Sequence, residues 1–369
     1  MRIALVGPTH PYKGGIAQHT TELAHRVAAH GVDTQVWSWR RQYPARLYPG
    51  EQRVPGSVAE SPPYPRATEP LAWDRPLGWL TAGRRARRER LDGVVLTWTT
   101  PVQAPPYLGL LRGWAHAGRT VALCHNVLPH EPNRFDAPLA RAVLGRCDGL
   151  LVHSSPQAAA AAALAPAARV AVAALPPPAL PRGAARDAVE RRTLLFFGIV
   201  RPYKGLDVAL RALAAAAVPA DVRLIVAGEL WTPEAEIRAL IAELGLRERV
   251  DLRPGYVPAG DVAALFAEAD AVVLPYRHAT ASIVPDLAHR HGLPVLATRV
   301  GTLASAVRDD VDGLLVAPED ATALGRAISR LYDGQTLSRL RAGVAPTDPD
   351  ALWSAYVGVL LGLLGESPA

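Results

Sequence analysis

The stretch LLFFGIVRPYKGLDVALRALAAAAV, residues 194–218, opens with an apolar run broken only by Gly198 and passes through the turn RPYKG. It closes with Leu206, Val208, Ala209 and Leu213 at helical spacing. A short apolar run bounded by turn residues fits a strand buried on both faces, so the order reads strand, loop, helix. The chain itself opens the same way. RIALVG (2–7) is followed by PTHPYKGGIAQHTTELAHRVAAHG (8–31), whose Ala17, Thr20, Leu23, Ala24, Val27 and Ala28 share one helical face before Gly31 stops it. Further strands read at Val94–Trp98, Thr120–Cys124, Gly149–Val152, Arg169–Ala173, Val222–Ala227, Val250–Leu252, Ala271–Leu274, Pro294–Ala297 and Gly313–Val316, most with helical segments between them. Strands alternating with helices predict α/β architecture: two doubly wound, Rossmann-like domains with parallel sheets, facing across a cleft. In such sheets ligands sit outside the carboxyl ends of the strands, so the loops after the strands carry the function.

Composition bounds the rest. With 369 residues, 49% hydrophobic and 20% charged, the chain is long enough for two cores and too apolar for disorder. No apolar run reaches bilayer length; the alanine tract at 158–163 is soon broken by Pro166 and Arg169. The opening residues lack a signal-peptide pattern, and a cytoplasmic protein is expected. Cys124 and Cys147 fit a reducing compartment, although a disulfide between them stays open, and no Cys/His cluster has metal-ligand spacing. Residues 1–185 carry a net charge of +10 and residues 186–369 a net charge of −4. Between the two halves, LPPPALPRGAARDAVERRT (175–193) holds too many prolines for a helix or central strand. The expected domains are 1–180, a linker at 181–193, 194–345, and a closing segment at 346–369.

Only two of the 40 basic residues are lysines, Lys13 and Lys204, and both stand in the tetrapeptide PYKG after the first strand of a half. Glycine admits close backbone approach and the following helix start offers free N–H groups, which together suit an anion such as phosphate. A plain turn with a solvated lysine is the alternative for either copy; recurrence, with Arg201 beside the second, favours the anion site. Neither loop is GxGxxG or GxxxxGK[ST], which argues against a nicotinamide dehydrogenase and a phosphate-loop NTPase. Asp310-Val311-Asp312 has the spacing of a manganese-binding pair, but a polar turn ahead of a strand accounts for it. No GxSxG elbow is present. The segment RRARRER (84–90) sets Arg84, Arg85, Arg87, Arg88 and Arg90 against one acid. It is either a solvated helix face or a docking patch for an anionic membrane, to which Trp73, Trp79 and Leu80 could add apolar contacts. No module or aromatic-interleaved surface points to nucleic acid. ALWSAYVGVLLGLLG (351–365) is too short to span a bilayer and reads as a packed helix with Leu352, Tyr356, Val359, Leu360 and Leu363 on its core face.

Seven segments taken in order resemble the retaining, nucleotide-sugar-dependent glycosyltransferases of the GT-B fold, family 4. They are GGIAQHTTELAHRVAAHG (14–31), HN (125–126), LVHSS (151–155), FFGIVRPYKGLDVALRAL (196–213), IVAGEL (225–230), GYV (255–257) and ADAVVLPYRHATASIVPDLAHRHGLPVLATRVGTL (269–303). The resemblance implies a nucleotide-diphosphate-sugar donor and a glycan or lipid-linked acceptor; the enzyme is expected to be cytoplasmic, peripheral on the inner membrane face where the arginine run docks, and to need no cofactor where basic residues neutralise the leaving diphosphate. It places Gly14 and Gly15 near the donor phosphates and acceptor, and His125 against the transferred sugar. Arg201 and Lys204 would neutralise the leaving diphosphate. Gly228 and the backbone of Gly255, Tyr256 and Val257 would meet the nucleotide. Thr280, Ser282, Ile283 and Val284 would offer hydroxyl and N–H groups to phosphate and sugar. It also implies a final helix crossing back onto the first domain.

The sequence departs from the family at two places. Where two glutamates commonly stand eight positions apart, this chain has Ala279 and Leu287, and Arg201 precedes Lys204 by three residues where the family more often shows five. The expected activity is transfer of a hexose-type sugar to a hydroxyl of a glycolipid or polysaccharide precursor. The rival readings are an inactive nucleotide-sugar binder or assembly partner of the same fold, and a nucleotide-sugar epimerase.

Overall fold

The computed structural model describes residues 1–42, 52–54, 62–129, 133–177, 191–279 and 282–365. They form two compact units, one of residues 1–179 with 348–369 and one of residues 180–347. Residues 181–190 of the expected linker lie outside the described residues, and Thr193 is already the first residue of a strand.

The first unit runs β1 (Arg2–Val6), α1 (Gly15–Ala29), β2 (Asp33–Arg41), β3 (Ala67–Ala72), α2 (Pro76–Arg88), β4 (Gly93–Trp98), α3 (Ala104–Trp114), β5 (Arg119–Cys124), α4 (Asp136–Leu144), β6 (Gly149–Val152), α5 (Ser155–Leu164) and β7 (Arg169–Val172). The second runs β8 (Thr193–Phe197), α6 (Leu206–Leu213), β9 (Arg223–Gly228), α7 (Glu234–Glu243), β10 (Val250–Pro254), α8 (Ala259–Ala267), β11 (Ala271–Leu274), α9 (Val284–Arg290), β12 (Val295–Thr298), α10 (Leu303–Ala306), β13 (Gly313–Val316), α11 (Ala321–Leu331) and α12 (Thr336–Gly343). The closing α13 (Pro349–Leu364) belongs to the first unit.

Each unit is built on one parallel sheet, ordered β3-β2-β1-β4-β5-β6-β7 and β10-β9-β8-β11-β12-β13. The strands read as continuous apolar runs because alternate residues enter different cores. Ala4, Val6, Leu96 and Cys124 face one core while Ile3, Leu5, Val95 and Leu123 face the other. In the second sheet Leu194 and Phe196 face one core and Leu195 the other.

Local signals end the helices where the sheets require it. Asp320 accepts from the Ala323 N–H at 2.7 Å to start α11, whose Leu324, Ile328 and Leu331 then fall on the buried side. The N-terminal cap of α13 is Asp348, and Gly365 in the left-handed conformation closes it. That helix buries Trp353, Tyr356, Val357, Leu360, Leu361, Leu363 and Leu364, and the Trp353 indole N–H donates to the Pro177 carbonyl at 3.1 Å. Leu352 and Val359, expected on its core face, are only half-buried.

The sequence reading named neither β2 nor β3. Strand β2 carries Trp37 and Trp39 into the core, while β3 is an edge strand with irregular register and a proline at 70. In the second unit the fully buried Asp270 accepts from the Arg191 and Thr193 backbone N–H groups and pairs with Arg341 at 2.5 Å, anchoring the start of β8 to α12. Removing one partner of such a pair typically costs about 3–5 kcal/mol, because the other charge stays buried.

Candidate functional site

Strand order reverses between β8 and β11, and doubly wound sheets bind ligands at the carboxyl ends of the strands at such a point, which makes the loops leaving these two strands the candidate site. Gly198, at φ +98°, leads into the first loop, and Pro202–Lys204 form a single 3₁₀ turn. Gly205 caps α6 in the left-handed conformation, where a Cβ would overlap the carbonyl oxygen of Pro275 on the β11–α9 loop. Only glycine fits there, so the two loops lie flush. Gly228 ends β9 at φ +147°, and a Cβ on it would strike the Gly198 carbonyl. Gly255 follows β10 at φ +123° and donates to the Gly228 carbonyl at 3.1 Å. Tyr256 and Val257, next along the chain, are half-buried.

Inside this frame the Lys204 ammonium lies beside Gly198, 3.1 Å from the place a Cβ would take, and 5.5 Å from the Tyr276 ring centroid. Burial, and then the nearby Arg201 charge, pull its pKa down to about 8. The Arg201 guanidinium is stacked 3.8 Å from the Trp231 ring centroid. Backbone hydrogen bonds fix that contact: Val200 N–H donates to the Glu229 carbonyl and Trp231 N–H to the Val200 carbonyl. Ser282 and Ile283 lead into α9, and the Ser282 hydroxyl accepts from Val284 N–H at 3.4 Å. Thr280 lies outside the described residues. Ala279 is partly buried and Leu287, 2% exposed, is part of a core, so neither family glutamate position carries a polar group. Asp286 is half-buried, and desolvation raises its pKa.

In the first unit Gly14 caps α1 at φ +94° in open space, and Gly15 is the exposed first residue of that helix. The Gly14 carbonyl accepts from the Ala17 and Gln18 N–H groups. His125 follows β5, its N–H donating to the Trp98 carbonyl, and its ring is buried among other imidazoles. Its centroid is 5.1 Å from that of His19, edge to face, and 5.3 Å from that of His153. Trp353 stacks on His19 at 5.0 Å and Tyr356 on His153 at 5.8 Å, so α13 walls the cluster. Burial, and then the two neighbouring rings, hold His125 well below the ordinary histidine range. Burial likewise takes His19 to about 3 and His153 to about 4. All three are neutral imidazoles at neutral pH.

The sequence reading named His125 but not His19, Trp231 or Arg277, and read His153 only as part of a strand end. A signal for His153 was present: β5 and β6 pair in parallel with Cys124 opposite Val152, so the next residues, His125 and His153, emerge side by side. Trp231 and Arg277 had no such pattern. Asp310 is paired with Arg330 and Arg339 and Asp312 with Arg308, so the Asp-x-Asp carboxylates serve a turn. Among the described residues no group of three or more His, Cys, Asp or Glu is placed to hold a metal ion, and no helix is long and apolar enough to cross a membrane.

Residues 13–176 match the family described as Glycosyltransferase Family 4, and residues 191–334 match Glycosyl transferases group 1. D-inositol 3-phosphate glycosyltransferase 1 of Catenulispora acidiphila is 31% identical over 382 residues, spanning 95% of this chain and 90% of that protein. The chain belongs to glycosyltransferase family 4. The fold of this glycosyltransferase is that of the GT-B enzymes. Sucrose-phosphate synthase from Thermosynechococcus elongatus superposes with a TM-score of 0.73 at 20% identity, over 98% of each chain. The Anabaena protein HepE in complex with UDP-glucose superposes with a TM-score of 0.71 at 16% identity, over 98% of this chain and 99% of that one.

Proposed function

We propose that this glycosyltransferase moves a hexose-type sugar from a nucleoside-diphosphate sugar to an acceptor hydroxyl with retention at the anomeric carbon, and that the acceptor is a glycolipid or polysaccharide precursor. The observation that carries the reading is the loop after β8, where the Lys204 ammonium is drawn in beside Gly198 and the Arg201 guanidinium, stacked on Trp231, is near enough to lower its pKa. Negative charge develops on the diphosphate as the anomeric C–O bond breaks, and fixed cations at a partly desolvated site stabilise that charge most where it grows. The acceptor oxygen attacks from the face the diphosphate leaves, and its proton passes to the departing diphosphate. His125, neutral and held by its neighbours, is the group assigned to a hydroxyl of the transferred sugar. With two cations and the α6 start on the diphosphate, transfer needs no metal, and activity is expected to survive chelation by EDTA.

The test is release of nucleoside diphosphate from a panel of labelled nucleotide sugars, with a lipid extract and with inositol phosphate as acceptors. The second acceptor is chosen because the relative from Catenulispora acidiphila is named for it. Acceptor-dependent release supports the reading. Binding without release or slow hydrolysis supports the inactive binder, which the apolar Ala279 and Leu287 favour.

The basic end of α2 is proposed as a membrane contact. Arg84, Arg87, Arg88 and Arg90 are exposed, while Arg85 pairs with Glu89 and lies over the Trp37 ring. At the start of the same helix Leu77 is 78% exposed and nearby Trp73 41%. Basic side chains near anionic lipid contribute about 1 kcal/mol each. Co-sedimentation with vesicles containing anionic lipid is expected, and equal recovery on neutral vesicles overturns it.

A further inference from the structure

Arg277 leaves β11 on the loop that faces the PYKG turn, and nearly every polar group it owns is spent on holding that turn. Its backbone N–H donates to the Tyr203 carbonyl at 2.7 Å. Its guanidinium donates to the Pro202 carbonyl at 2.6 Å and, as a fork, to both Asp207 oxygens at 3.0 and 2.7 Å. The remaining arm, Nε–H, donates to Glu319 at 3.1 Å, on the β13–α11 loop. The Arg277 side chain thus grips residues 202 and 207 and ties them to the β13–α11 loop, while its main chain holds residue 203. Lys204 and Gly205 lie inside that grip.

We propose that Arg277 is the positioning residue of the diphosphate site, bracketing Lys204 and masking the carboxylate of Asp207 at the first turn of α6. The inference rests on the reading of the loop after β8 as a diphosphate site. Two effects are separable. The planar fork fixes the turn, which sets where the Lys204 ammonium lies. The positive charge also cancels Asp207, whose carboxylate would otherwise repel an incoming diphosphate from the helix start where that anion is to bind. Lysine can supply the charge but not the fork.

The experiment is calorimetric titration of UDP and of GDP into the full-length protein at neutral pH, with melting curves recorded alongside. Arg277→Ala is expected to weaken binding about tenfold and Arg277→Lys about threefold, with donor KM rising more than kcat falls. Adding Asp207→Asn to Arg277→Ala is expected to restore about threefold of the lost affinity without restoring the melting temperature, a separation that a purely structural role does not produce. Glu319→Gln is expected to bind within twofold of wild type, since glutamine keeps an oxygen that can accept from the Arg277 Nε–H. Wild type binding neither nucleotide overturns the diphosphate reading and the inference together. Wild type binding while Arg277→Ala and Arg277→Lys both bind within twofold overturns the role of Arg277 alone, and an Asp207→Asn addition that restores nothing overturns the masking of Asp207.

Discussion

The tetrapeptide PYKG stands after the first strand of each unit, and its two copies fold differently. In the first unit Tyr12 is the buried member, 4% exposed, bridged to Arg53, whose guanidinium lies 5.1 Å from its ring centroid, while the Lys13 N–H donates to the Gln52 carbonyl. Gly14 caps its helix in open space. In the second unit the lysine is the member drawn in, beside Gly198, and Gly205 is pressed against the Pro275 carbonyl. The same four residues therefore bury an aromatic ring in one place and an ammonium in the other, because what decides is the loop packed against the turn: 52–54 in the first unit, 275–277 in the second. The polar groups nearby differ in kind as well, neutral imidazoles at the ends of β5 and β6 against cations after β8.

The most severe way to break this contrast is to remove each lysine. Lys204→Ala is expected to lower sugar transfer by about 10²–10³-fold with a melting temperature close to wild type, the loss typical of removing one group that stabilises developing negative charge. Lys13→Ala is expected to lower it by no more than about threefold. Equal losses in an assay of nucleoside diphosphate release would mean that the two turns share one role.

Acid should separate the units next. His19 and His153 stay neutral in the fold down to about 3 and about 4, yet in the unfolded chain they take up a proton near the ordinary value of 6.5. Between those values the unfolded chain binds more protons, so the stability of the first unit, complete above about pH 6.5, falls as the pH falls, with a slope approaching about 1.4 kcal/mol per pH unit for each histidine. Of the eight tryptophans only Trp231 lies in the second unit, so tryptophan fluorescence reports mainly the first. Denaturant midpoints followed this way should drop between pH 6.5 and 4.5, and His19→Phe should shallow the drop. A flat profile in the wild type would contradict the neutral cluster.

The glycines offer a smaller contrast. Gly205→Ala meets both a left-handed φ of +70° and the Pro275 carbonyl, and is expected to cost about 3 kcal/mol. Gly14→Ala meets only the unfavourable φ of +94°, for about 1–2 kcal/mol. Melting curves giving the reverse order would show that the loops do not lie flush.

What the sequence made legible was whatever depends on periodicity and order. The apolar runs named most of the strands because a sheet covered on both faces needs every residue apolar, and Gly198 and Gly228 stood where strands end and Gly205 where a helix begins. Strand β3 was illegible because an edge strand with Pro70 need not alternate or stay apolar. The grip of Arg277 on Asp207 joins residues 70 positions apart, and the stacking of Arg201 on Trp231 depends on two loops laced by backbone hydrogen bonds. No local pattern encodes either contact. His19 was not among the α1 residues read as its core face, and only the meeting of α1, β5, β6 and α13 turns three separated histidines into one cluster.

The finest distinction between the two turns lies in the ionisation of the second lysine. Burial beside Arg201 takes Lys204 to about 8. Its charged form binds the diphosphate, so affinity present at pH 7 should fall as pH rises through about 8, when the ammonium is lost. By pH 7.5 the terminal phosphate is itself almost fully ionised, so a fall between pH 7.5 and 9 reports the protein rather than the nucleotide. A decrease of about threefold to tenfold over that interval is expected by calorimetry, following one proton. Arginine keeps its charge throughout this range, so Lys204→Arg should flatten the profile even if it binds more weakly at pH 7.5, while Lys13→Arg should leave the wild-type fall in place. If Lys13→Arg were the variant that flattened the profile, the titrating ammonium would belong to the first turn, and the assignment of the two copies of PYKG would have to be exchanged.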